Sequence, residues 1–375
     1  GATLKGSDGK TYIDFFAGLA VNNLGYSHPV ANKAVLKALK KPWHSTNLFE
    51  IPSQAELGAL IQKNSFKGKT YFCNSGAEAN EAAYKLAIKY GKSIHPEKIR
   101  VLAARDSFHG RTMGALALTG QPKYQNAFAP FPGNVDFFEW NNLDSLRILM
   151  SDKVAALFIE PIQGESGVRM ASSDLLKEAR KLCDQHKALL IFDEVQTGCA
   201  RTGKLFAFQH GNVIPDVFTL AKGLGGGLPI GAMTARESLA EHLVPGDHAS
   251  TFGGNPFVTT VALDIFKLYA SPAFLKKVSA AGGLFSKKMD ELKKRCSSIK
   301  EYRGLGLMRA IEFEPETVST DKVRDLALAG GLLVNSIHNR ILRLVPPLVI
   351  SRQETDKGFA ILQKAIAKAS QNGKG

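Results

Sequence analysis

Cysteine is scarce in this chain: four of its 375 residues are cysteine, and no two of them form a Cys-x-x-Cys pair. This scarcity argues against a disulfide framework and against a zinc site, so we expect no metal centre and a reducing compartment. The chain also lacks any unbroken run of the ~18 apolar residues that a membrane helix requires, and no signal-like apolar segment opens it. We therefore predict a cytoplasmic protein without a membrane partner.

The rest of the composition is that of a globular protein with an excess of basic residues. Hydrophobic residues make up 44% of the chain, and the formal net charge is +14. At about 150 residues per domain, two packed domains are the simplest expectation. A basic protein can steer anionic substrates or bind nucleic acid nonspecifically. The basic run Lys-Lys-Arg at 293–295 lies in a segment with an apolar stripe, so we favour a solvated helix face and predict no nucleic-acid partner.

Short apolar runs alternate with helical patterns between residues 41 and 260, which is typical of an α/β fold. The strand candidates are residues 70–73, 101–104, 154–159, 188–192, 217–221 and 230–234. This alternation predicts a mostly parallel sheet with helices on both faces. Residues 261–375 instead predict a helix, then strands around 306–313 and 341–345, and a final helix from about Thr355 to Ala369.

Two of these runs end at residues that predict a cofactor site. Asp193 follows Ala-Leu-Leu-Ile-Phe, and Lys222 follows Val-Phe-Thr-Leu-Ala, 29 positions later. Open α/β sheets bind ligands at the carboxyl ends of their strands. A carboxylate there can keep a pyridine nitrogen protonated, and a lysine can form a Schiff base with a cofactor aldehyde, so the pair predicts a pyridoxal phosphate site. Taken singly, Asp193 could instead be a helix cap and Lys222 a solvated side chain.

Two further segments predict contacts to such a cofactor. Asn-Ser-Gly-Ala-Glu-Ala-Asn-Glu at 74–81 precedes a helical pattern, and the unpaired N–H groups at a helix start can bind a phosphate, with Ser75 adding a hydroxyl. Ser75 and Glu78 could also form a capping box, and both roles can hold at once. Downstream, Phe108 could stack on a cofactor ring and Arg111 could bind a carboxylate. Core packing and a surface position are the alternatives for these two residues.

Nine ordered blocks along the chain match a known family. They are Gly-Leu-Ala-Val-Asn-Asn at 18–23, His-Ser-Thr-Asn-Leu-Phe at 44–49, the block at 74–81, Phe-His-Gly-Arg-Thr at 108–112, Glu-Pro-Ile-Gln-Gly-Glu at 160–165, Asp-Glu-Val-Gln-Thr-Gly at 193–198, Ala-Lys-Gly-Leu-Gly-Gly-Gly-Leu-Pro-Ile-Gly-Ala at 221–232, Ser-Thr-Phe-Gly-Gly-Asn-Pro at 250–256 and Leu-Arg-Leu-Val-Pro-Pro-Leu at 342–348. Together they resemble the class III (ω) aminotransferases, and most closely the acetylornithine aminotransferase group. The resemblance implies the α/β fold of the fold type I pyridoxal-phosphate transferases. In that fold a large domain at 41–260 holds a mostly parallel seven-stranded sheet, and residues 1–40 and 261–375 form a smaller α+β domain.

The resemblance also implies which residues bind pyridoxal 5′-phosphate. Lys222 would form the Schiff base and shuttle a proton between substrate and cofactor, and Asp193 would pair with the pyridine nitrogen. The other implied contacts are phosphate binding by Ser75, Gly76 and Ala77, ring contacts by Phe108 and Val195, a contact of Gln196 near the phenolic oxygen, and binding of the neighbouring subunit's phosphate by Thr251. A homodimer with shared active sites is therefore the implied active unit.

The implied substrates are N-acetylornithine and 2-oxoglutarate or glutamate. Arg343 would bind the α-carboxylate of glutamate, and Glu165 would mask Arg343 by an ion pair when the donor's reacting amine is remote from a carboxylate. Arg111 would hold the α-carboxylate of acetylornithine, a task that suits the bidentate geometry of a guanidinium. Ser250 completes the implied substrate-binding set.

The implied reaction is transfer of the δ-amino group of N-acetylornithine to 2-oxoglutarate, giving N-acetylglutamate semialdehyde and glutamate, a step of arginine biosynthesis. Ornithine, succinylornithine, succinyldiaminopimelate and 4-aminobutyrate are the alternative donors, and a noncatalytic protein of the same fold is the distant alternative. Relatives carry more N-terminal residues, and this chain starts at Gly1 instead of Met. We therefore expect either a chain that is clipped or has lost a targeting peptide, or a more open substrate pocket, and removal of a targeting peptide makes the mitochondrial matrix the alternative location.

Overall fold

The computed structural model describes residues 1–371 and places sixteen strands and thirteen helices within them. The strands are β1 (Thr3–Lys5), β2 (Thr11–Asp14), β3 (Gly68–Cys73), β4 (Arg100–Ala104), β5 (Val135–Phe138), β6 (Val154–Ile159), β7 (Ile162–Gln163), β8 (Arg169–Met170), β9 (Leu189–Asp193), β10 (Val217–Leu220), β11 (Gly231–Arg236), β12 (Ile299–Leu305), β13 (Met308–Phe313), β14 (Leu332–Leu333), β15 (Asn335–Ile337) and β16 (Ile341–Leu344). The helices are α1 (Ala17–Ala20), α2 (Pro29–Ala38), α3 (Pro52–Lys63), α4 (Gly76–Ile94), α5 (Met113–Ala117), α6 (Pro122–Gln125), α7 (Leu143–Leu149), α8 (Ser173–Gln185), α9 (Phe208–Gly211), α10 (Pro256–Tyr269), α11 (Pro272–Arg295), α12 (Thr320–Ala329) and α13 (Arg352–Gln371), with 3-10 turns at Lys222–Gly225 and Glu237–His242.

The largest sheet has seven strands in the order β3-β11-β10-β9-β6-β4-β5. Its pairings are parallel except those of β11, which runs antiparallel to both of its neighbours. The prediction of a mostly parallel seven-stranded sheet is therefore confirmed. β5 was not among the strand candidates. It is an edge strand that pairs with β4 alone, and three of its four residues are partly exposed, so it lacks a buried apolar run.

Helices cover both faces of this sheet, as predicted. Successive side chains of a strand point to opposite faces, and along β6 Ala156 and Phe158 pack in one apolar cluster whereas Leu157 and Ile159 pack in another. Residues of α4 belong to the first cluster and residues of α8 to the second. Every residue of β6 and β9 is buried. The central strands are thus a rigid support for the residues at their carboxyl ends.

Three smaller sheets lie outside the large one, and one of them is the antiparallel pair of β7 and β8. β12, β13, β16 and β15 form an antiparallel sheet, and β1, β2 and β14 form a three-stranded sheet in which β14 pairs parallel with β2. The first fourteen residues and the C-terminal part of the chain therefore share a sheet. The last helix, α13, is longer than predicted at both ends. The domain boundaries at residues 40 and 260 stay a prediction.

α1 is a left-handed turn that leads from β2 towards the large sheet. Its four residues have φ between 49° and 66°, a conformation that costs roughly 1–2 kcal/mol for each residue other than glycine. The buried Asp14 stabilises the entry to this turn, because its Oδ1 accepts hydrogen bonds from the backbone N–H groups of Phe16 (2.7 Å) and Ala17 (2.9 Å). The turn places Val21 at the wall of the cavity described below.

No single helix within residues 1–371 is long and apolar enough to cross a membrane. α10 and α11 pass a length and hydropathy test only as a pair, and the pair is bent by 68°.

Candidate active site

A cavity of about 440 Å³ lies at the carboxyl ends of β3, β4, β6, β9 and β10. Ten of the thirteen predicted site residues line it, namely Ser75, Gly76, Ala77, Phe108, Arg111, Glu165, Asp193, Val195, Gln196 and Lys222. Arg343 contacts one of these ten directly, whereas Ser250 and Thr251 lie outside the cavity wall. The carboxyl ends of parallel strands meet at one edge of a sheet, which explains why side chains so distant in sequence converge here.

Lys222 follows β10 and opens the 3-10 turn Lys222–Gly225. Its φ is 44°, and its amine has no hydrogen-bond or ion-pair partner within residues 1–371. Burial lowers the pKa of Lys222 below its ordinary value, although the nearby Glu165 carboxylate opposes this shift. The turn is packed closely: a Cβ on Gly223 would come 2.2 Å from Asn23 Nδ2, and the Tyr269 hydroxyl donates to the Gly223 carbonyl at 3.0 Å. The lysine is thus a fixed amine whose proton affinity is reduced.

Asp193 is fixed by hydrogen bonds to both of its carboxylate oxygens. Oδ2 accepts from Asn80 Nδ2 at 2.7 Å and pairs with His109 Nδ1 at 2.8 Å, while Oδ1 accepts from the Val195 N–H at 3.0 Å and lies 3.4 Å from Thr219 Oγ1. An ionised carboxylate can only accept, so Nδ1 of His109 carries the proton in this pair. Sequence reasoning gave no role to Asn80, His109 or Thr219. The signal for His109 was its place beside Phe108 in a matching block.

The start of α4, which was predicted to bind a phosphate, forms one end of the cavity. Ser75 is the N-cap of this helix, since its Oγ accepts from the Glu78 N–H at 3.2 Å. The capping box is incomplete, because the Glu78 carboxylate accepts from the N–H of Asn74 (2.6 Å) and not from that of Ser75. Gly76 packs against Val195, where an added Cβ would lie 2.8 Å from Cγ1. The N–H groups of the first helical turn therefore face the cavity at close range.

Glu165 and Arg343 form an ion pair with an N–O distance of 2.6 Å. Arg343 is 2% exposed, and it also donates to the Gly164 carbonyl at 3.0 Å and to Asn335 Oδ1 at 3.1 Å. Burial alone would raise the pKa of Glu165, but the charge and hydrogen bond of Arg343, together with the Lys222 charge and the Gln196 hydrogen bond, bring that pKa below its usual value. Gln196 Nε2 donates to Glu165 at 3.3 Å, and Gln196 Oε1 is buried without a partner among residues 1–371. The predicted ion pair is present at the cavity wall.

A second glutamate of the cavity, Glu160, had no predicted role. It follows β6, and its carboxylate accepts from the Phe108 N–H at 3.2 Å. Burial, reinforced by the Asp193 charge, raises the pKa of Glu160 well above its ordinary value. A neutral carboxylic acid there avoids placing a second negative charge beside Asp193.

Ser250 and Thr251 are on the loop before α10. Ser250 Oγ accepts from Asn74 Nδ2 at 3.1 Å and from the Gly253 N–H at 3.0 Å, so it supports the segment before α4. Thr251 is exposed. The cysteine that follows the Asp-Glu-Val-Gln-Thr-Gly block, Cys199, is buried, and burial raises the pKa of its thiol.

Known proteins that are similar to this chain over nearly its full length are aminotransferases. Residues 1–366 match the protein family described as aminotransferase class-III. The acetylornithine aminotransferase of Caldanaerobacter subterraneus subsp. tengcongensis is 44% identical over 363 residues, which cover 96% of this chain and 92% of the relative. Among solved structures, the N-acetylornithine aminotransferase from Stenotrophomonas maltophilia K279a superposes with a TM-score of 0.86 and 35% identity, covering 98% of this chain and 94% of that chain. The ornithine aminotransferase from Toxoplasma gondii superposes with a TM-score of 0.94 and 31% identity, covering 100% and 90%.

Proposed function

This chain belongs to the class-III aminotransferases, and from that membership we propose that it transfers the δ-amino group of N-acetylornithine to 2-oxoglutarate. The products are N-acetylglutamate semialdehyde and glutamate. The observation that carries the donor assignment is the Glu165–Arg343 ion pair at the cavity wall, with Arg111 on the same wall lacking an ion-pair partner among residues 1–371. The named relatives support the same donor. We place the reaction in arginine biosynthesis, in the cytoplasm or, if a targeting peptide has been removed, in the mitochondrial matrix.

The residues of the cavity fit pyridoxal 5′-phosphate, the cofactor of this family. Among residues 1–371, the Lys222 amine and the Gln196 side-chain oxygen have no partner, and the N-terminus of α4 lies at the cavity wall. When bound, the cofactor supplies the electron sink and carries the amino group between the two substrates. Ser75, Gly76 and Ala77 would hold its phosphate, and Phe108 and Val195 would contact its ring.

Two charged residues of the chain would perform the proton chemistry. The lowered pKa of Lys222 favours a neutral Nζ, which can accept a proton from the substrate carbon that bears the reacting amine and return it later. Asp193 would hold a proton on the pyridine nitrogen. Asn80 and His109 fix the Asp193 carboxylate, so it is oriented before any ligand arrives.

The Glu165–Arg343 pair would allow one pocket to accept two different amino donors. Acetylornithine presents a remote amine without an adjacent carboxylate, and the ion pair then keeps the buried Arg343 neutralised. Glutamate presents a carboxylate next to its amine, and this carboxylate would replace Glu165 as the partner of Arg343. A buried guanidinium requires an anion in both states, because an unpaired buried charge is strongly unfavourable.

A homodimer is the proposed active unit. Thr251 is exposed and lies outside the cavity wall of its own chain, and large apolar side chains near it are exposed as well. These include Phe252 (63% exposed), Trp43 (65%), Leu48 (88%) and Phe49 (71%). Exposed apolar patches of this kind mark interaction surfaces, and a second copy of the chain would cover the patch and bring Thr251 to the neighbouring phosphate.

The donor assignment is tested by the visible absorbance of the cofactor bound to Lys222. Adding N-acetylornithine to the purified holoenzyme should remove the band, and adding 2-oxoglutarate should restore it. Ornithine is the second candidate, because the Toxoplasma gondii ornithine aminotransferase has the same fold, and 4-aminobutyrate and the succinylated donors complete the comparison. A band that resists acetylornithine but responds to ornithine would reassign the donor.

A further inference from the structure

The guanidinium of Arg111 lies on the face of an aromatic ring that does not itself line the cavity. Its Cζ is 3.9 Å from the centroid of the Tyr124 ring and 5.3 Å from that of Phe108. The two rings contact each other edge to face, with centroids 6.0 Å apart and an interplanar angle of 84°. Tyr124 belongs to the short helix α6 and was not recognised from the sequence.

The N–H groups of Arg111 have no hydrogen-bond partner among residues 1–371. No carboxylate within residues 1–371 lies within ion-pair distance of Arg111, although the side chain lines the active-site cavity. A ring below the plane of a guanidinium uses its face only, so its hydrogen-bond donors remain available for a ligand carboxylate. An arginine without such a support would lose more rotamer freedom when a ligand binds.

Tyr124 is itself held against the segment that carries Phe108 and Arg111. The Gln121 side chain, at the start of α6, donates to the carbonyls of Asp106 (3.2 Å) and Ser107 (3.1 Å). At the other end of α6, the Gln125 side chain donates to the carbonyl of Leu116 at 3.1 Å. Both ends of the short helix are therefore fixed to the main chain on either side of Arg111.

We propose that Tyr124 is a positioning residue that holds Arg111 ready for the α-carboxylate of the amino donor and thereby contributes to donor specificity. This inference rests on the proposed function, in which Arg111 receives the α-carboxylate of N-acetylornithine. Tyr124 would act through Arg111 and would not touch the substrate.

The experiment compares two donors that differ only in that carboxylate, N-acetylornithine and N-acetylputrescine. The kcat/KM of the first half-reaction is measured for each donor by single-turnover absorbance. In Tyr124→Leu we expect kcat/KM for N-acetylornithine to fall roughly 2- to 5-fold, the range that corresponds to loss of a cation–π contact at an exposed site, while the value for N-acetylputrescine stays unchanged. Tyr124→Phe keeps the ring and should keep the wild-type ratio.

Two further variants separate positioning from a general structural role. Lys123→Ala removes the other cation near this ring, which lies 4.7 Å from its centroid, and should leave the ratio unchanged. In an Arg111→Gln background, Tyr124→Leu should cause no additional change in the ratio, because its effect passes through Arg111. Equal losses for both donors, or an unchanged ratio in Tyr124→Leu, would overturn the proposal.

Failure of the proposed function gives a different result. In that case the wild-type enzyme itself does not react with N-acetylornithine. If it reacts with ornithine, the same variants are compared on ornithine and putrescine. A fall of the ornithine-to-putrescine ratio of kcat/KM in Tyr124→Leu then supports the role of Tyr124 with ornithine as the donor. If Tyr124→Leu is not folded, as judged by circular dichroism, Tyr124→Met provides the variant without an aromatic face.

Discussion

Replacing Glu165 by Ala should shift the preference of the enzyme towards glutamate as the amino donor. In the proposed mechanism, the carboxylate of glutamate must displace Glu165 from Arg343 in the wild type before it can bind. The variant has no competing side chain, so the incoming carboxylate meets an unpaired buried cation. The kcat/KM for acetylornithine should fall in the same variant, because the buried charge of Arg343 then has no counter-ion while this donor is bound.

The expected magnitude follows from the geometry of the pair. At a distance of 2.6 Å and an effective dielectric constant of about 20, the gross Coulomb attraction is about 6 kcal/mol. Most of it is recovered when the carboxylate of glutamate takes the place of Glu165. The net difference is then that of a hydrogen bond to a charged group, about 1.5–3 kcal/mol, which corresponds to a roughly 10- to 150-fold change in the ratio of kcat/KM for the two donors.

The assay measures both half-reactions in single turnover from the change in cofactor absorbance. Glu237→Ala is a matched control, because Glu237 forms an ion pair with Lys67 at 2.5 Å in which both side chains are at least half exposed. Such a surface pair contributes little, and the donor ratio should stay at the wild-type value. If Glu165→Ala leaves the ratio of kcat/KM for the two donors unchanged, Glu165 does not control the access of donors to Arg343.

Three other predictions follow from the site. Lys222→Ala should lower turnover by several orders of magnitude while leaving phosphate-anchored cofactor binding partly intact, and normal single-turnover rates would contradict its role. His109→Phe removes a donor to Asp193 and should weaken cofactor binding roughly 10- to 150-fold in titrations of the apoenzyme, whereas His109→Gln, which can still donate, should lose less. Burial raises the pKa of Glu194 to about 7, so the folded chain holds a proton that the unfolded chain releases between pH 4.5 and 7. The free energy of unfolding should therefore fall as pH rises through this window, and urea titrations of Glu194→Gln should lack that part of the slope.

The residues that end buried strands were the most predictable part of the site. Asp193 closes β9 and Lys222 follows β10, and in both cases a mostly apolar run marks the buried strand that positions the residue. Parallel pairing of β9 with β10 then brings the two residues to the same edge of the sheet. β5 escaped prediction for the opposite reason, because an edge strand with partly exposed residues has no such run.

The hydrogen-bond partners of Asp193 could not be predicted in the same way. Asn80, His109 and Thr219 are 113, 84 and 26 positions away from it, and they come from a helix, a loop and a neighbouring strand. Asn and Thr are common in loops and helices for many local reasons, so their spacing gives no periodic signal. Only the packing of α4 and the loop after β4 against β9 creates the contact.

The Glu165–Arg343 ion pair also depends on contacts between separate sheets. Glu165 lies on the loop between β7 and β8, whereas Arg343 is in β16 of the four-stranded sheet. The main chain of this loop is bound to that sheet at two points, since Arg343 donates to the Gly164 carbonyl at 3.0 Å and Arg303 of β12 donates to the Gly167 carbonyl at 2.9 Å. A movement of the four-stranded sheet would therefore carry the loop with it and keep Glu165 beside Arg343. In the proposed mechanism, release of Arg343 then requires rotation of the Glu165 side chain, and the competing carboxylate of the substrate would drive that rotation without displacing the backbone.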